Sequence, residues 1–218
     1  MLTEEGTLNT QVIFNESKTE RYLLRKVWDE SKPIVSLIMT NPSIADVVSV
    51  DMTTLYVVNN LYRLGEYGGA DILNMTSLIT SKVDTKSDIK LTDTNVEYIL
   101  RSAETSDKVI LAWGRIGENN KKIRLVQLKL LEKLEPFQGK LYMIASDVGD
   151  CLFHPLAPQI RFSWNLIPFE LPEYLQEKSE EKPENQASDT SDKSDDKSKG
   201  EPANPPNEKP SKKSVKSA

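Results

Sequence analysis

Ile34-Val35-Ser36-Leu37-Ile38-Met39-Thr40-Asn41-Pro42-Ser43 is the stretch that decides the fold of this chain. Apart from Ser36, its first half is apolar on both faces. A strand of that kind is buried on both sides, as a central strand of a parallel sheet is. It then stops on the polar group Asn41-Pro42-Ser43. Three later β-prone runs stop the same way: Ala70–Leu73 at Asn74, and Val109–Ala112 at Trp113-Gly114. The last, Leu141–Ala145, leads through a short loop to His154-Pro155-Leu156. In an open α/β sheet, ligands bind in the crevice beyond the carboxyl ends of parallel strands. If the four runs are parallel neighbours, all four signatures line one cleft.

The segments between these runs have helical spacing. Thr53–Leu64 carries Leu55, Val58, Leu61 and Leu64, and Gly65 follows as a stop. Thr94-Asn95-Val96-Glu97 has the form of a capping box before Ile99, Leu100 and Ala103. Asn119–Leu134 turns Ile123, Leu128, Leu131 and Leu134 to one side, with Pro136 and Gly139 beyond it. Upstream, Gln11–Phe14 and Arg21–Trp28 flank Asn15–Lys18 as a hairpin. Repeated strand–helix alternation means βαβ units. The expected architecture is α/β: a mostly parallel four-stranded sheet flanked by helices, an N-terminal β-hairpin and a disordered tail. The expected divisions are 1–19 as an extension that starts the hairpin, 20–172 as the α/β domain, and 173–218 as the tail.

Composition supports that division. The 218 residues are 38% hydrophobic, below the globular average of about 45–50%. From Glu177 to Ala218 the chain has no Phe, Trp, Ile or Met, so it cannot bury enough surface to offset its conformational entropy. A tether to a protein partner is the role this tail suggests. The remaining body, about 170 residues, is large enough for a real core. The net charge of −5 argues against a broad nonspecific nucleic-acid surface. Cys151 is the only cysteine, which rules out an internal disulfide and fits a reducing, cytoplasmic setting. With no apolar run near about 18 residues and no leader pattern, no membrane association is expected.

Each signature residue has a chemical use and a plain one. Asn41, stiffened by Pro42 and followed by Ser43, is held at a strand end for chemistry, or it caps the strand as an Asx turn. The amide of Asn74 can pair with the edge of a base, or it is a satisfied turn residue. Trp113 is a core residue or the wall of a cleft, with Gly114 beside it. Arg115 faces a phosphate or solvent. His154, the only histidine, can donate a hydrogen bond to a developing anion, and Pro155 fixes the chain after it. Asp46 can activate water, whereas Asp51 suits a helix N-terminus. No phosphate loop, zinc ligand set or Ser-His-Asp order stands out, so neither a metal nor an organic cofactor is expected.

With these residues in place, the body resembles the bacterial family of unknown function numbered 1643. The resemblance rests on Arg21-Tyr22-Leu23-Leu24-Arg25 with Trp28, Met39 to Asp46, Asp51 with Thr53, Gly68-Gly69, Asn74, Ala112-Trp113-Gly114 with Gly117, and His154-Pro155-Leu156. Met52 stands where that pattern has proline. The order strand–Asn-Pro-small, strand–Leu-Asn, strand–Trp-Gly, strand–His-Pro also looks like the uracil-DNA glycosylase superfamily, a three-layer α/β fold. That likeness implies a hydrolase of the N-glycosidic bond acting on a flipped-out nucleotide in DNA, or on a free nucleotide. It implies that Asn41 positions water, Asn74 reads the base and His154 stabilises the leaving base. Ser43 and Leu156 depart from it, since it has glycine and serine there, and the nearest equivalent of a DNA-inserting loop is Ala157-Pro158-Gln159. The other outcome on the same fold is a binding module for a nucleotide or nucleic acid without chemistry.

Overall fold

The computed structural model describes residues 1–80, 89–146 and 151–172, and every structural statement below concerns these. The strands are β1 (Asn9–Phe14), β2 (Arg21–Val27), β3 (Ile34–Met39), β4 (Gly69–Asn74), β5 (Val109–Leu111), β6 (Leu141–Ala145) and β7 (Asn165–Pro168). The helices are α1 (Met52–Leu64), α2 (Asp93–Thr105) and α3 (Lys121–Leu134), and a 3-10 segment, Glu135–Lys140, follows α3. The chain divides into Met1–Lys182, which carries all of these elements, and Pro183–Ala218, which lies outside the described residues. The expectation of a disordered tail from 173 onward also falls outside them.

The sheet has seven strands in the order β1-β2-β4-β3-β5-β6-β7. This corrects the expected four-stranded, mostly parallel sheet. The four strands β4-β3-β5-β6 do run parallel at its centre. A parallel core leaves two open edges with unpaired backbone groups. The β1–β2 hairpin joins one of them through β2, antiparallel to β4, and β7 joins the other, antiparallel to β6. The result is a mixed sheet.

Apolar cores cover both faces. Leu37, Ile72 and Ile110 pack with Val57 and Leu61 of α1 and with Phe153, Ile160 and Trp164. Ile38, Leu73 and Leu111 pack with Ile99 and Ala103 of α2 and with Ile123, Leu130 and Leu134 of α3. The doubly apolar look of Ile34–Met39 is thereby explained. Ser36, its exception, bonds to Ser102 of α2 and to Ser106, which caps that helix, and Ser102 donates to Asp71 of β4 at 2.7 Å. Asp71 also takes a two-point contact from Arg25 of β2, at 2.6 and 2.7 Å.

Capping residues fix where the helices begin. Asp51 accepts from the Thr54 N–H to start α1, and Gly65, with φ 76°, ends it in the left-handed conformation that glycine adopts without strain. Asn120 accepts from Ile123 N–H at the start of α3. For α2, the cap is Thr92, which accepts from Asn95 N–H, and the helix opens at Asp93. That corrects the capping box expected at Thr94. The Asn95 side chain instead donates to the carbonyls of Asn74 and Met75, at 2.8 and 3.1 Å. Among the described residues no helix is long and apolar enough to cross a membrane.

Candidate active site

Strand order locates the site. The connection after β3 runs through α1 to β4 on one side, and the connection after β5 runs through α3 to β6 on the other. Adjacent strands whose following connections diverge leave a crevice at their carboxyl ends. A pocket of about 310 Å³ lies there, lined by Thr40, Asn41, Trp113, Gly114, Arg115, Ile116 and His154. A larger cavity of about 770 Å³ has Trp28, Lys32, Tyr62 and Tyr67 among its walls. There Trp28 Nε1 donates to the Tyr67 carbonyl and Lys32 Nζ to the Gly65 carbonyl, whereas the smaller pocket is lined by residues from the strand-end signatures.

Asn41 is oriented by its amide nitrogen, which donates to the Thr80 carbonyl at 2.8 Å and to its hydroxyl at 3.1 Å. No described residue donates to Asn41 Oδ1. Across the pocket, His154 Nδ1 accepts the Leu156 backbone N–H at 3.2 Å. An accepting Nδ1 places the ring proton of neutral imidazole on Nε2. Burial keeps the imidazole pKa below its ordinary value, partly opposed by the negative charge of Asp51. His154 therefore offers a neutral N–H donor near pH 7.

Gly114 makes this arrangement possible. Its φ is 71°, and a Cβ built on it would stand 3.1 Å from His154 Cβ. The loop after β5 and the His154 turn thus touch through a missing side chain. The Ala157 N–H closes that turn on the His154 carbonyl at 2.7 Å, with Pro155 buried and Leu156 half-buried inside it. Trp113 lines the pocket but belongs to the core on the α2–α3 side, and its carbonyl accepts from Thr40 Oγ1. Arg115 is exposed and ion-paired with Glu118.

Of the residues expected in the cleft, Pro42, Ser43, Asp46, Asn74, Pro155 and Leu156 are not among those that line this pocket. Asp46 is exposed, and its carboxylate accepts from Val48 N–H and Ser49 N–H in a turn of the loop after β3, so it is absent from the pocket wall. Asn74 is 1% exposed behind the wall, and both atoms of its amide are buried without a partner. Such groups are rare in folded proteins. Pro42 is buried, and Ser43 donates its hydroxyl to Asp51.

Asp51 stands at the helix N-terminus as expected, but its bond to Ser43 and the part Arg21 plays beneath the loop are what sequence reasoning missed. Burial pushes the Asp51 carboxyl up, but hydrogen bonds from Ser43 and Thr54 and the charge of Arg21 outweigh it and hold it below its ordinary value. Arg21 lies beneath the same loop, donating to the Ala45 carbonyl at 2.8 Å and the Ser43 carbonyl at 3.3 Å. Burial pushes its pKa down to about 10 against the opposing pull of Asp51. For Arg21 the only sequence signal was its place in the string of family-like residues. Among the described residues no three His, Cys, Asp or Glu side chains gather as a metal site would require.

Residues 21–156, more than half of the chain, match the protein family of unknown function DUF1643. The chain belongs to the DUF1643 family. No curated protein and no solved structure matches this DUF1643 protein. The matched span runs from Arg21 beneath the loop to the His154-Pro155-Leu156 turn, so it takes in every residue of the pocket.

Proposed function

We propose that this DUF1643 protein recognises a nucleobase in the pocket between β3 and β5 and hydrolyses the N-glycosidic bond that holds it. The observation that carries this reading is Asn41 and His154 on one pocket, with His154 fixed as an Nε2–H donor. As the bond stretches, its electron pair moves onto the base. A neutral donor at the base oxygen stabilises that charge without first being deprotonated. Asn41, held by Thr80, positions the attacking water through its oxygen, to which no described residue donates. Asn74, expected to read the base, is buried behind the pocket wall and is given no contact with the base in this reading. The order of motifs, which looks like that of the uracil-DNA glycosylase superfamily, supports the same chemistry, with DNA or a nucleotide as the partner.

A second reading, a binding module without turnover, is favoured by one observation. Both carboxylates of the loop are already engaged, Asp46 in its turn and Asp51 on Ser43 and the α1 N-terminus. Incubation with single- and double-stranded oligonucleotides carrying uracil, hypoxanthine or xanthine separates the two. Alkali-labile sites that vanish in Asn41→Ala support the hydrolase. Intact oligonucleotides at high protein excess, with binding retained, leave the module.

A further inference from the structure

We propose that Arg21 is a positioning residue of this site, holding the loop after β3 so that Asn41 faces the pocket. The inference deepens the proposed function, and its consequence for turnover rests on that reading.

The first observation is how Arg21 reaches the loop. In the β1–β2 pairing, Ile13 faces Leu23 and Phe14 faces Arg21, so Tyr22 is an extra residue, a β-bulge. Tyr22 stacks on Tyr98 of α2 with ring centroids 5.3 Å apart, and Leu23 packs into the core on the same side. Arg25, two residues beyond Leu23, also faces that side, bonded to Asp71. Strict alternation would send Arg21 there too. The bulge sends it across to the loop after β3 instead.

The second observation is its surroundings. Arg21 is 2% exposed, its Nε is buried without a partner, and no ion pair to it forms among the described residues. A guanidinium buried this way is costly for stability alone. What it does hold is specific. One terminal nitrogen bridges the carbonyls of Ser43 and Ala45, while the Ser43 hydroxyl is held by Asp51 at the start of α1. Ser43 is therefore gripped from both sides by opposite charges, two residues after Asn41.

The test uses the full chain, with wild type compared with Arg21→Lys and Arg21→Met. Methionine fills the buried space without charge, and lysine keeps the charge without the planar fork. The reporter is the Asn41 side-chain amide in nitrogen-15 spectra, which is bonded to Thr80. The Asn95 side-chain amide, bonded to the ends of β4, is the internal control. In Arg21→Met the Asn41 signals are expected to move to the free-amide position, and in Arg21→Lys part of the way, with Asn95 unchanged in both. Unchanged Asn41 signals, or loss of the Asn95 signals together with them, overturn the inference. On an oligonucleotide carrying deoxyuridine, a displaced Asn41 lowers turnover by up to about a hundredfold with little change in KM. A wild type that leaves that oligonucleotide intact removes the proposed function, while the amide spectra still decide the role of Arg21.

Discussion

Replacing Gly114 with alanine perturbs fold and site through one added methyl group. At φ 71° an L-residue costs about 1–2 kcal/mol relative to the ordinary regions. The loss of chain freedom in the unfolded state returns about 0.4–1 kcal/mol. The new Cβ would stand 3.1 Å from His154 Cβ and 3.6 Å from its backbone nitrogen. Carbon pairs prefer about 3.5–4.0 Å, so something must move by roughly half an ångström. The neighbour includes backbone closed by the His154–Ala157 bond, so it yields poorly. Together these give a loss of about 1–2 kcal/mol, or a urea midpoint lower by about 0.5–1 M at an unchanged slope. Urea unfolding measures it, and the imidazole signals of His154, free of overlap in a chain with one histidine, report the displacement. Gly139→Ala is the control, since a Cβ there meets nothing within 4 Å. If Gly114→Ala unfolds at the same urea concentration as Gly139→Ala, with unmoved His154 signals, the reasoning is refuted.

Asp71→Ala strands Arg25 and Ser102, and urea unfolding should show a loss of about 3 kcal/mol, the lower end for a broken buried pair because Arg25 is 35% exposed. Burial lowers the pKa of His154, so below 6.5 the unfolded chain binds the proton more readily than the folded one. Stability should then fall as pH drops through 6.5 toward the folded value, and unfolding midpoints of His154→Gln across that range should lack this component. Asn74→Leu replaces an amide with two unpartnered atoms by an apolar group of similar size, so thermal unfolding should show no loss or a gain of about 1 kcal/mol.

What the sequence made legible and what it hid have separate physical causes. Ile34–Met39 was readable because a doubly buried strand leaves no polar alternation, and the polar residues at its end and at three others marked the carboxyl edge of the sheet. Strand order was not readable, since pairing is a long-range choice, and with it went the placing of the cleft between β3 and β5. Asn165–Pro168 escaped notice as β7 because four residues ending in proline carry almost no periodicity. The bulge at Tyr22 breaks the alternation that a strand reading assumes, so nothing in Arg21-Tyr22-Leu23-Leu24-Arg25 says that its two arginines serve opposite sides of the sheet. Along the chain Asp46 had no marker, whereas Asp51 was legible as a helix N-terminus. Only the folded loop shows the first in a solvent-facing turn and the second bonded to Ser43.

The central claim is that the pocket holding Asn41 and His154 takes a nucleobase. The most direct measurement is a titration of the single imidazole, followed by nuclear magnetic resonance, with uracil, hypoxanthine and xanthine, and with oligonucleotides carrying each. The account expects a saturable shift of the His154 signals with at least one of them, abolished in Asn41→Ala. Imidazole signals unmoved by every base and every oligonucleotide would contradict it.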